Sequence, residues 1–157
     1  MRSRIDVDVA APVEVVFDLA HDVSKWPALL PHYQKVTVLS RNGGELLAQM
    51  RATRRLGRFG MPVGWSARTW ADPSDSNDMQ LHFVHTAGPT RGMDVTWHIT
   101  PRATGGSNVA IDHDFVRPLP LVGTELFPAV VDRFFVRPIA GQTLQTFKSL
   151  AEARESA

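Results

Sequence analysis

From Tyr33 to Phe115 the chain is a succession of strand-length stretches, cut by Asn42-Gly43-Gly44, by Pro73 to Asn77, by Gly88-Pro89 and by Gly105-Gly106. Connections this short can only return the chain antiparallel, because a parallel neighbour needs a crossover of a dozen residues or more. The pattern predicts six strands, over 33–41, 44–54, 61–71, 78–86, 91–101 and 106–116, arranged as an antiparallel meander. Near the N-terminus Ile5, Val7 and Val9 alternate with Asp6 and Asp8, the period of a half-buried strand, which adds a seventh.

The ends of this sheet are bounded by helical signals. Pro12 suits the first turn of a helix, and Val13, Val16, Phe17 and Ala20 recur at helical spacing, with Glu14 favourably placed near the helix start. Asp22 caps a second short helix expected to run through Trp26 and to be stopped by Pro27 and Pro31. After Arg117, Pro118 and Pro120 end the last strand, and Thr124 offers a cap for a long terminal helix reaching Arg154. Pro138 lies inside that helix and leaves the Phe134 carbonyl without its usual donor, so a kink or break is predicted there. One stripe joins Val131, Phe135, Ile139, Thr143 and Phe147, and the polarity around Gln142, Thr143 and Thr146 points to a wet or ligand-facing stretch.

At 157 residues the chain matches one domain, taken as 1–157. A formal charge of +1 gives no general case for nucleic acid, although Arg51, Arg54, Arg55 and Arg58 form a local basic run. That run reads as a solvated strand end or, at a cavity entrance, as an attractor for a carboxylated ligand or an acidic carrier-protein helix. No stretch reaches the ~20 apolar residues of a membrane span, so stable membrane insertion is not expected and a cytoplasmic location is the default. The sequence leaves the oligomeric state open.

Several chemistries lack their residues. The absence of cysteine removes disulfides, thiolate ligands and thiol nucleophiles. His82 and His85, three apart on a strand, face opposite sides and do not make a metal pair. Ser66 lies in Gly-Trp-Ser-Ala-Arg, which lacks the second glycine of a nucleophile elbow. Gly88 to Gly92 reads as a hairpin and has no phosphate-loop lysine. No metal or other cofactor is therefore assigned.

The element order, with "APVEVVFDLAHDVSKWPALLPHYQKVTVL" (Ala11 to Leu39), "GWSAR" (Gly64 to Arg68), "GMDVTWHI" (Gly92 to Ile99) and "IDHDF" (Ile111 to Phe115), resembles the aromatase/cyclase branch of the START-like superfamily. The resemblance implies an α+β helix-grip fold: a curved seven-stranded antiparallel sheet, two short helices and a long C-terminal helix around a cavity. It also implies a hydrophobic, oxygenated small-molecule ligand, aldol cyclisation and dehydration as the reaction, and a carrier protein as a partner. In that family an arginine on the fourth strand binds carbonyl or enolate oxygens. Arg68 stands at the matching position, with Ser66 nearby, Tyr33 at the cavity mouth, and Met93 and Trp97 on its wall.

Such chemistry needs a proton removed beside a carbonyl, a stabilised enolate oxygen and a proton delivered to the departing hydroxyl. Arg68 would stabilise the oxyanion, and Tyr33 or His113 would move protons. His113 alternates with Ile111 and Phe115 and so shares their face. Trp26, Leu30, Phe83, Phe135, Ile139 and Gln142 complete the expected binding set. Structural readings stand beside these: Arg68 as an exposed strand residue paired with a carboxylate, His113 as a hydrogen-bonded structural histidine, Tyr33 as a core-edge residue, and the aromatic residues as packing. The functional alternative to an enzyme is a non-catalytic carrier or sensor of a lipid, quinone or aromatic metabolite.

Overall fold

The computed structural model describes residues 1–115 and 126–157. The strand end expected around Arg117 to Pro120 and the cap at Thr124 lie outside these residues. Strand β1 (Arg2–Val9) leads into α1 (Val13–Ala20), a 3-10 turn (Val23–Lys25) and α2 (Trp26–Leu29). Then follow β2 (Tyr33–Asn42), β3 (Glu45–Leu56), β4 (Phe59–Asp72), β5 (Met79–Ala87), β6 (Met93–Pro101) and β7 (Ser107–Phe115). After α3 (Leu126–Val131) comes a π-helical turn (Asp132–Val136) and then α4 (Arg137–Ser156).

The strands form one sheet in the order β1-β7-β6-β5-β4-β3-β2, each neighbouring pair antiparallel. Closing β1 onto β7 lets the N-terminal strand complete the curve, as a seven-stranded helix-grip sheet requires. On β5 and β6 the period-2 pattern is strict and on β7 only the small Ala110 interrupts it: Leu81, Phe83, Val95, Trp97, Ile99, Ile111 and Phe115 are buried on the concave face. Helix α4 lies across that face against β1, β3 and α1. Its stripe Ile139, Thr143, Phe147 and Ala151 is buried, each large apolar member contributing about 1.5–3 kcal/mol.

One local detail differs from expectation, and a predicted one takes a specific form. The second helix does not stop at Trp26: Asp22 caps the 3-10 turn through the Ser24 amide at 3.1 Å, and α2 continues to Leu29. Pro27 sits in the first turn of α2, where its missing N–H is no loss. At the other end Pro138 does break the regular ladder, and the break takes the form of a π turn in which the Arg137 amide reaches back to the Asp132 carbonyl. The Phe134 carbonyl, denied a donor by Pro138, accepts instead from Arg54 Nε at 2.7 Å. One arginine of the basic run thus joins the β3–β4 hairpin to the C-terminal helix.

Glycine is required at Gly88 (φ +95°), where a Cβ would stand 2.7 Å from the Gly64 carbonyl oxygen. This close approach lets the 88–92 connection fold back so that Thr90 reaches His85 on β5.

Candidate functional site

Between the concave sheet face and the start of α4 lies a cavity of about 80 Å³. Its walls are aromatic and aliphatic: Trp26, Tyr33, Trp65, Phe83 and Trp97 with Met50, Val63, Met93, Val95 and Ile111 from the sheet side, closed by Phe135, Val136, Ile139 and Ala140. Set into this apolar wall are Tyr33, His85, Thr90, His113 and Thr143, a small number of polar groups of the kind that orient a ligand.

His113 projects from β7 between Ser3 on β1 and Val95 on β6. Burial depresses its pKa to about 4, with the Arg137 charge acting in the same direction and the Asp132 and Asp112 carboxylates against it. Its Nδ1 has no hydrogen-bond partner among the described residues. Behind it, buried Asp132 accepts from the Ser3 hydroxyl at 2.9 Å and from Arg137 Nε at 2.7 Å. His85 on β5 lies 2.5 Å, Nδ1 to Oγ1, from Thr90 and stacks on Trp65 at 5.9 Å. Burial, aided by His113, pushes its pKa down to about 3. Both imidazoles are therefore neutral at pH 7 and can accept or donate a hydrogen bond without bringing charge into the cavity.

A second polar cluster lies at the helix side. The Thr143 hydroxyl donates to the Ile139 carbonyl at 2.8 Å and lies 2.8 Å from His32 Nε2. With its proton committed to Ile139, Thr143 accepts from His32, which places the His32 proton on Nε2 and leaves Nδ1 without a partner among the described residues. Tyr33 is fully enclosed, and burial drives its pKa upward, so the phenol keeps its proton.

The expected residues divide cleanly. Trp26, Tyr33, Phe83, Met93, Trp97, His113, Phe135 and Ile139 meet at the cavity. Arg68 does not: it points to the convex face, 49% exposed, 3.0 Å from Glu45 and over the Trp70 ring at 5.9 Å. Ser66 shares its outward side, while Ala67 and Thr69 between and beside them are buried. The reason is parity. β4 carries Trp65 and Trp70 on opposite faces, so its own pattern is two-sided, and pairing with Ala48 on β3 and with Phe83 and His85 on β5 decides which set turns inward. A guanidinium outside finds water and a carboxylate; inside it would need a charged partner. Leu30 is fully buried but does not line the cavity, and Gln142 is exposed on α4. His85, Thr90 and Trp65 join the site without having been expected as ligand contacts, while Thr143 comes from the stretch of the terminal helix expected to face a ligand. His85 was legible, since it continues the buried alternation of Leu81 and Phe83 just as His113 does with Ile111 and Phe115. Thr90 was not, because a loop brings it there.

A curved antiparallel sheet gripping a C-terminal helix over a cavity defines the helix-grip fold of START-superfamily proteins. The chain belongs to the polyketide cyclase / dehydrase and lipid transport family, whose model matches residues 9–147. It is 32% identical over 92 residues to a candidate polyketide cyclase of Streptomyces halstedii, covering 59% of this chain and 81% of that one. It is 29% identical over 118 residues to the granaticin polyketide synthase bifunctional cyclase/dehydratase of Streptomyces violaceoruber, covering 73% of this chain but only 34% of that protein. In structure it is similar to the Zhui aromatase/cyclase of Streptomyces sp. R1128, with a TM-score of 0.72 at 21% identity, covering 98% of this chain and 94% of the other.

Proposed function

We propose that the protein binds a hydrophobic, oxygenated small molecule in this cavity and acts on it as a polyketide cyclase/dehydratase. The observation that carries the proposal is the pair of buried, neutral imidazoles, His85 and His113, facing one apolar-walled space that also holds a protonated phenol, Tyr33. Aldol ring closure followed by loss of water needs a base at the carbon beside a carbonyl, a donor to the enolate oxygen and an acid for the departing hydroxyl. A neutral imidazole can take the first proton and return it, a weaker base for being held so far below its ordinary pKa but a correspondingly stronger acid toward the departing hydroxyl. The Tyr33 hydroxyl can donate to the oxygen. With Arg68 outside, oxyanion stabilisation falls to neutral donors in a low-dielectric site. A multi-ring guest needs roughly 300 Å³ or more against the about 80 Å³ present, so productive binding requires side chains lining the cavity to move apart.

The test is turnover of a poly-β-ketone or a β-hydroxyketone model compound. His113→Leu is expected to lower kcat by roughly 10²–10⁴ while folding is retained, and Arg68→Ala to leave it within about twofold. Unchanged turnover in His113→Leu removes the catalytic reading. The largely apolar wall favours a second reading, a non-catalytic carrier. Native mass spectrometry separates the two: a retained lipid in both the unaltered protein and His113→Leu, with no turnover in either, supports the carrier.

A further inference from the structure

Among the described residues six large apolar side chains stand exposed: Leu39, Leu56, Phe59, Met61, Val130 and Phe134. All but Leu39 belong to two segments joined by the Arg54 to Phe134 hydrogen bond, the tip of the β3–β4 hairpin and the stretch from α3 through the π turn. Register explains the hairpin's part. Leu56 pairs with Phe59 and Arg54 with Met61, continuing the inward stripe of Ala52 and Val63 past the end of the cavity, so side chains patterned for a core emerge into the open. Phe59 at the tip is 69% exposed. Large apolar side chains exposed together on two neighbouring segments are unusual in a monomer without a use for them.

The charge around the tip is one-sided. No acidic residue occurs between Glu45 and Asp72, a stretch that holds Arg51, Arg54, Arg55, Arg58 and Arg68. Arg68 is paired with Glu45, and Arg2, Arg4, Arg102, Arg137 and Arg154 each face a carboxylate. Among the described residues no carboxylate pairs with Arg51, Arg54, Arg55 or Arg58, and Arg58 instead lies over the Phe59 ring at 5.5 Å. The chain's formal charge is only +1, so this corner is positive against a nearly neutral whole.

We propose that the β3–β4 hairpin tip and the adjoining π turn dock reversibly on an anionic lipid surface, Leu56, Phe59 and Met61 entering the headgroup boundary while Arg55 and Arg58 meet lipid phosphates. An acidic amphipathic helix would satisfy the arginines but seats its apolar face in a groove, whereas these aromatic and aliphatic side chains project from a hairpin end. A lipid interface accommodates both at once, taking apolar tips into its outer acyl region and cations at its phosphates. The patch also adjoins the cavity, since Val63 and Phe135, next along the same segments, line it. The docking does not depend on catalysis in the cavity.

The experiment is flotation of the full chain with phosphatidylcholine vesicles, with and without about a third phosphatidylglycerol. Binding is expected to the anionic vesicles and to fall sharply at high salt. Phe59→Ser is expected to weaken it roughly tenfold or more, and Arg55→Gln and Arg58→Gln by about fivefold each, with circular dichroism unchanged. Absence of flotation on anionic vesicles overturns the proposal, as does undiminished flotation of Phe59→Ser. Two further outcomes also overturn it: saturable binding to an acidic carrier protein with vesicles ignored, or a vesicle-free dimer that Phe59→Ser dissolves. Turnover or guest binding measured without vesicles reports on the cavity separately.

Discussion

Acidification from pH 7 to pH 4 is expected to remove on the order of 5 kcal/mol of folding stability through His85 and His113 alone. Folded, they titrate near about 3 and about 4; unfolded, both return to the ordinary 6.5. A depressed histidine pKa means that the unfolded chain takes up protons first as pH falls. Their stabilising effect is therefore complete above about 6.5 and is lost progressively below it, until the folded-state values are reached. Each contributes a slope of up to about 1.4 kcal/mol per pH unit across that window. The loss is comparable to the whole stability of many domains, ~5–15 kcal/mol, so acid unfolding should begin well above the carboxylate range. Urea titrations at intervals between pH 4 and pH 7.5 check this directly. His113→Leu should remove about half of the slope, and a stability profile that stays level from pH 6.5 to 4.5 would contradict the buried, neutral state of both rings.

Trp26→Ala should cost about 3–5 kcal/mol, the usual cost of truncating a large core aromatic. Its indole packs against Tyr33, Phe83, Trp97 and Phe147 with centroid separations of 5.2, 5.7, 5.7 and 5.8 Å, so it ties α2, β2, β5, β6 and α4 together. Its Nε1–H donates to the buried Ala20 carbonyl at 3.0 Å. Trp26→Phe keeps much of the packing but leaves that carbonyl without its donor, for a smaller cost of about 1–3 kcal/mol. Denaturant midpoints for the two variants test both the magnitude and the order. A loss below about 1 kcal/mol in Trp26→Ala would mean that the aromatic cluster does not hold the grip closed.

Much of this architecture was legible in residue order. Turn residues at Asn42 to Gly44, Gly88-Pro89 and Gly105-Gly106 marked the meander, and the strands fall within about two residues of their predicted ends. Pro138 foretold both the break and the orphaned Phe134 carbonyl, because a missing N–H is a property of the residue itself. The donor that answers it, Arg54, lies far away in sequence, and nothing local could name it. His113 was placed correctly by alternation with apolar neighbours, and the same rule applied to His85 would have found it too. Arg68 and Ser66 went the other way because β4 bears a tryptophan on each face, and one position of parity separates a cavity guanidinium from a surface ion pair with Glu45.

Sequence by itself therefore determined the number and order of the strands, the antiparallel connections and the apolar stripe of the terminal helix, since periodicity, turn chemistry and proline geometry act over a few residues. Tertiary structure alone decided which face of β4 turns inward, that two imidazoles from separate strands share one cavity, and that a basic hairpin clasps the broken helix. These depend on which neighbour each strand meets and on the cost of burying charge, quantities that exist only once distant segments have come together.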